Sequence, residues 1–154
     1  MRRKDREITD LNRMAEILQQ AQAASIAFAG EPYVIPMSYG FELRDGRFTL
    51  YMHGAQEGEK IRRIKADPRA AFTVYANNQV YGTRGEGCDC STSFDSVCGS
   101  GAFRFLEGEE KARGLGALMA HYAPGRAFSF PEAMLKQTCV MALDVTSITG
   151  KHHD

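Results

Sequence analysis

The run Tyr33-Val34-Ile35-Pro36-Met37-Ser38-Tyr39-Gly40-Phe41-Glu42-Leu43 is rich in aromatic and β-branched residues, which favour a pleated, half-buried strand over a helix. Pro36 cannot donate to a ladder, so the run belongs at a sheet edge or a bulge. Asp45-Gly46 then gives a hairpin signal, and Arg47 to His53 resumes strand character. Two antiparallel strands joined at Asp45-Gly46 are therefore expected here.

Upstream, Leu11, Met14, Leu18 and Ala21 share a helical face with Ile17 beside them. Thr9 or Asp10 can cap the first-turn amides, so a helix is predicted over about 10–23. Residues 25–29 read as a short buried strand. Downstream, 57–66 reads as a short helix with Ile61 and Ile64 inward, stopped by Asp67-Pro68. Strands are expected over 69–80, 96–106 and 138–146, with a Gly-rich loop at 82–92. Helices are expected over 108–122, with Leu115, Leu118 and Met119 on the apolar side, and briefly over 131–136. Six or so strands joined by hairpins or short helices do not make the βαβ alternation of a parallel sheet. The expectation is a mainly β, small antiparallel barrel with peripheral helices, in one domain spanning 1–154.

Charge and composition narrow the function classes. The 154 residues carry 19 Lys plus Arg against 19 Asp plus Glu, so net charge gives no long-range attraction to nucleic acid or an anionic membrane. Asp5 and Glu7 interrupt the basic N-terminus, which argues against a nucleic-acid arm. No apolar run reaches the roughly 18 residues of a membrane span, and no signal-peptide core is present, so a cytoplasmic setting with reduced thiols is expected. Cys88, Cys90 and Cys98 lack paired zinc-ligand spacing. His121 reads as a helix C-terminal residue favoured by the dipole, and His152 and His153 as a frayed tail.

Chemistry concentrates in His53-Gly54-Ala55-Gln56-Glu57-Gly58-Glu59-Lys60, which follows a strand and enters a helix. Gly54 and Gly58 allow close backbone approach to a ligand. The free amides of the helix start, with Lys60, can hold a phosphate, provided that Glu57 and Glu59 point away. The GxxxxGK[ST] order is absent, so this is no Walker loop. A plain strand-to-helix turn and an anion site both fit the residues.

Taken in order, several segments resemble the 5-nitroimidazole-resistance (Nim-like) branch of the pyridoxamine 5'-phosphate oxidase-related FMN-binding split barrels. They are Met1-Arg2-Arg3-Lys4-Asp5-Arg6-Glu7-Ile8, Pro32 to Gly40, Leu50-Tyr51-Met52-His53-Gly54-Ala55 with Gly58 and Lys60, and Asp67-Pro68. Ser96-Val97 with Gly99 and Gly101, Glu109-Glu110-Lys111 and Ile148-Thr149-Gly150-Lys151 complete the set.

The resemblance implies an antiparallel split β-barrel, a homodimer, and FMN in a cleft at the subunit interface. It also implies roles for matching positions. Pro36, Met37, Ser38 and Tyr39 would line the isoalloxazine, mainly through backbone groups. His53, Gly54, Ala55, Gly58 and Lys60 would surround the ribityl phosphate or flavin edge, and Ser96 and Val97 would border the cofactor. Phe94 stands where many relatives carry a tyrosine. The function implied is FMN-dependent oxidoreduction of a small acceptor, with nitroaromatics among the candidates, His53 the candidate catalytic contact and no metal ligand assigned. The alternatives are a non-enzymatic flavin- or haem-related binding protein on the same barrel, and a metal module built on Cys88, Cys90, Cys98 and His121.

Overall fold

The computed structural model describes residues 2–82 and 84–154. Met1, with which the quoted N-terminal segment opens, and Thr83 of the expected 82–92 loop lie outside the described residues. The chain runs β1 (Glu7–Ile8), α1 (Leu11–Gln20), β2 (Ala24–Phe28), β3 (Val34–Met37), β4 (Gly40–Arg44), β5 (Arg47–Gly54) and α2 (Glu59–Ala66). It continues through β6 (Arg69–Tyr81), β7 (Ser91–Phe105), α3 (Gly108–Tyr122), α4 (Glu132–Gln137) and β8 (Cys139–His153).

All strand pairings are antiparallel, in the order β3-β2-β6-β7-β8-β5-β4, with β1 added to β8. The first and last strands of this path, β3 and β4, are consecutive in the chain and separated only by Ser38 and Tyr39. Such a linker spans at most about 11 Å. The sheet must therefore curl until its edges nearly meet, yet β3 and β4 do not pair. This is the split barrel. The single strand expected over 33–43 is thus two strands on opposite edges, and Pro36 lies in the edge strand β3, where its missing donor costs no ladder bond.

Alternation along β5 gives the layers. Phe48, Leu50 and Met52 enter the main core with Ile26, Phe72, Val74, Val97, Met141 and Leu143, and α1 adds Met14, Ile17 and Leu18. The opposite face of β5 presents Tyr51 to a smaller cluster with Leu106, Val140 and Ala142 beneath α3. The Asp10 carboxylate caps α1 by accepting from Asn12 N–H at 2.9 Å.

Two readings need correction. The tail is not frayed: β8 continues to His153, pairs with β7 through Phe94↔His153 and Asp95↔His152, and holds β1 on its other side. A buried Asp95, which accepts from His152 at 2.7 Å, anchors it. The loop at 82–92 is also shorter than expected, because β6 reaches Tyr81 and β7 begins at Ser91.

Candidate functional site

The turn from β5 into α2 is shaped by its charges. Glu59 accepts from Arg62 at 2.6 and 2.8 Å and from Arg63 at 2.6 Å, so its charge is taken up by the two arginines. Arg63 also stacks over the Tyr33 ring and donates to the Glu31 carbonyl, tying α2 to the loop before β3. Ile61 and Ile64 bury the opposite side of α2. Gly58, with φ of 124°, takes the N-cap position in a conformation that a side chain would strain. The first-turn amides of α2 have no partners within the helix.

Lys60 folds back over the strand end. A Cβ added to Gly54 would lie 2.5 Å from its Nζ and 2.6 Å from its Cε. Among the described residues Lys60 enters no ion pair, whereas neighbouring Glu59 is fully engaged. The cradle is an unpaired ammonium resting on a bare backbone beside free amides, an arrangement suited to a phosphate. Gly54→Ala should therefore displace the ammonium, which sits at the end of a flexible chain, and leave the core intact. We expect weaker anion binding by calorimetry with a melting temperature within about 2 °C of wild type, a shift worth under about 1 kcal/mol.

The residues singled out in the sequence fall into two places. Gly40, which opens β4, pairs with Tyr51, two residues before His53 on β5. The Pro36–Tyr39 segment thus enters the sheet beside the strand that leads into the His53–Lys60 turn. His53 is exposed and, by strand alternation, projects from the face of β5 opposite to that covered by Lys60. Ala55 is exposed in the turn. Met37 and Tyr39 are buried, so a ligand would meet this segment at Pro36, Ser38 and the backbone. Ser96 and Val97 lie elsewhere, paired with Lys151 and Gly150 at the far end of β8 from Val140, the partner of His53. From Val140 to Lys151 is roughly 35 Å of strand. Val97 is fully buried in the core.

The link between β3 and β4 is clamped by side chains that the sequence did not single out for this role. Tyr39 OH donates to the Leu18 carbonyl at 2.5 Å, and Tyr39 N–H donates to the Tyr122 hydroxyl at 3.2 Å. The Tyr122 hydroxyl in turn donates to the Gln22 carbonyl. His121 bonds the Ala21 carbonyl through Nε2 at 3.0 Å, with Tyr39, Phe41 and Tyr122 around its ring. His121 is buried, and its Nδ1 has no partner. Burial holds its pKa below the usual value despite the Ala21 carbonyl, so it is a neutral packing residue rather than an exposed cation at a helix end. Nor does it join the cysteines. Cys98 contacts Thr73, Cys88 and Cys90 are exposed, and the described residues contain no group of three His, Cys, Asp or Glu placed to hold a metal.

The family model described as pyridoxamine 5'-phosphate oxidase matches residues 10–152. The chain belongs to this family. Among solved structures, one from Bacteroides thetaiotaomicron described as a 5-nitroimidazole antibiotic resistance protein is 30% identical, with a TM-score of 0.81. The match covers 95% of this chain and 86% of that one. A FAD- and haem-binding protein from Mycobacterium smegmatis shares the fold at 23% identity and a TM-score of 0.82, covering 97% and 74% of the two chains. A flavocytochrome from Azotobacter vinelandii does so at 20% and 0.79, covering 100% and 72%. No curated protein matches the chain. No helix among the described residues is long and apolar enough to cross a membrane.

Proposed function

We propose that this member of the pyridoxamine 5'-phosphate oxidase family binds FMN and is an oxidoreductase acting on a small acceptor, nitroaromatics among the candidates. The observation that carries this reading is Lys60, an unpaired cation folded over Gly54 at the start of α2 while Glu59 is taken up by Arg62 and Arg63. Lys60 and the α2 amides would hold the ribityl phosphate. Pro36, Ser38 and the backbone through Tyr39 would border the ring, in a segment held still by Tyr122 and the Leu18 carbonyl. Bound flavin supplies the electron transfer. His53, exposed at the end of β5, would give a polar contact to the acceptor.

In this reading two protomers complete the cleft, because Ser96 lies too far along the sheet to join Lys60 in one chain, while Val97 is core. The outward face of β2, β6 and β7 suits such pairing: it carries small side chains such as Ala71, Thr73 and Ser100, with Tyr75 half exposed. Sedimentation of a monomer at working concentration would overturn the dimer.

The visible spectrum of purified protein titrated with FMN tests the cofactor. Lys60→Ala should weaken binding by about 1.5–3 kcal/mol, the worth of a charge-assisted contact, or roughly 10- to 150-fold. Unchanged affinity would remove Lys60 from the phosphate site. Turnover with a reductant and nitroaromatic acceptors then separates an enzyme from a flavin carrier.

A further inference from the structure

Beside the Lys60 turn lies a cavity of about 260 Å³, bounded by α2, the start of α3, the end of β7 and the start of β8. Its lining includes Gln56, Ile61, Lys65, Glu107, Lys111 and Cys139. It is smaller than the roughly 300–1,000 Å³ of sites that enclose a drug-sized ligand, and its charge is uneven.

Lys111 is only 7% exposed, and its one ion pair among the described residues is to Glu107 at 4.0 Å, beyond hydrogen-bond length. Glu107 itself is largely in solvent. Lys111 also sits in the first turn of α3, where the helix dipole adds positive potential. Its stem is buried, while its ammonium has no hydrogen-bond partner among the described residues and opens into the cavity, where an anion would pair with it.

Two more cations converge there. Lys65 reaches the cavity from α2 and has no ion pair among the described residues. Gly54 lies directly opposite Cys139, and opposed residues of an antiparallel pair share a face, so the Lys60 ammonium over Gly54 stands on the Cys139 side. Cys139 does not supply the missing negative charge. Burial pushes its thiol pKa up against the pull of Lys111, Lys60 and Lys65, and it stays protonated at neutral pH.

Building on the flavin reading above, we propose that this cavity is a second anion subsite, taking a phosphate-type anion through Lys111 and Lys65 next to the phosphate at Lys60. The anion is either the second phosphate of a flavin dinucleotide or the phosphate of a separate small ester.

Calorimetric titration of orthophosphate into FMN-loaded protein, alongside FMN and FAD titrations of flavin-free protein, tests the assignment. For a separate ester, orthophosphate binds the FMN-loaded wild type, and Lys111→Met weakens it about tenfold or more with FMN affinity unchanged. For a dinucleotide, wild type prefers FAD to FMN, and Lys111→Met abolishes that preference. Lys65→Met, an exposed change that leaves packing alone, should shift the same quantity in the same direction, and it carries the test if Lys111→Met does not fold.

Orthophosphate and FAD binding that neither variant alters would overturn the subsite. So would a loss of FMN in Lys111→Met as large as in Lys60→Ala, since the two lysines would then serve one phosphate. If wild type takes no flavin at all, the flavin reading fails. Orthophosphate titration of flavin-free wild type and Lys111→Met then decides the subsite alone.

Discussion

Gly40→Ala should destabilise the protein by about 3 kcal/mol or more, at the upper end of overpacking costs, and lower the melting temperature by roughly 6–12 °C. Gly40 opens β4 where that strand runs beneath α3. A methyl group there would overlap the Ala117 carbonyl and the Leu118 Cα, so the obstacle is helix backbone rather than a side chain that could turn away. Relief requires lifting α3. That would expose Tyr51, Leu106, Val140 and Ala142 beneath it and pull the Tyr122 hydroxyl from the Tyr39 amide. Cofactor affinity should fall with stability, because the segment from Pro36 to Tyr39 depends on the same helix. Gly116→Ala, on α3 with open space at its Cβ, is the control. It should be neutral or stabilising by up to about 1 kcal/mol, since glycine is a poor helix former. Thermal unfolding followed by circular dichroism reads both. A Gly40→Ala protein melting within about 2 °C of wild type would mean that α3 is not seated on β4 as described.

The parts of the fold that follow local rules were legible in the sequence. Pro36 marked an edge because it lacks a donor, Asp45-Gly46 marked the β4–β5 hairpin, and Asp10 marked the start of α1. The engagement of Glu59 by Arg62 and Arg63 follows from their places three and four residues on, a spacing visible in the sequence.

What escaped depends on residues distant in the chain. His152 and His153 read as a frayed tail beyond a strand ending near Thr146, yet β8 runs on to His153 because β7 and β1 flank it and a buried carboxylate anchors it. The cavity beside Lys111 is equally non-local, since the ends of β7 and β8 form its walls. His121 follows the pattern of a helix end, but burial against Tyr39 and Phe41 reverses the sign of its expected pKa shift. In the site, the Gly-rich turn was legible because glycine spacing and a lysine are local features. That Ser96 and Val97 sit far from that turn is a matter of register along β8, which no local pattern encodes.

Asp95→Ala should cost about 3 kcal/mol, because Asp95 is the one buried carboxylate on which several elements converge among the described residues. It accepts from Arg13 of α1 at 3.0 Å, from Asn77 at 2.7 Å in the bulged stretch of β6, and from His152 of β8 at 2.7 Å. Asn77 holds a φ of 55°, a strained conformation that its bonds to Asp95 and Gln20 stabilise. The loss stays below that of a fully buried pair, because Arg13 and His152 are part-exposed and keep Glu16 and Asp154 as partners.

The penalty should also depend on pH. Burial raises the Asp95 pKa, but the bonds from Asn77 and His152 and the charge of Arg13 outweigh it and hold the value below the usual 3.8. Its contribution is therefore present above that pH and is lost as pH falls through the lowered folded value. His152 is raised above its usual 6.5, chiefly by the bond to Asp95. Its contribution is complete below 6.5 and is lost as pH rises through the raised value. The stability gap between wild type and Asp95→Ala should thus be widest between about pH 4 and 6.5 and narrow on both sides. Denaturant unfolding across pH 3 to 9 measures it, and His152→Ala should remove the alkaline limb alone. A gap that stays constant from about pH 5 to 9 would show that His152 does not pair with Asp95 in solution.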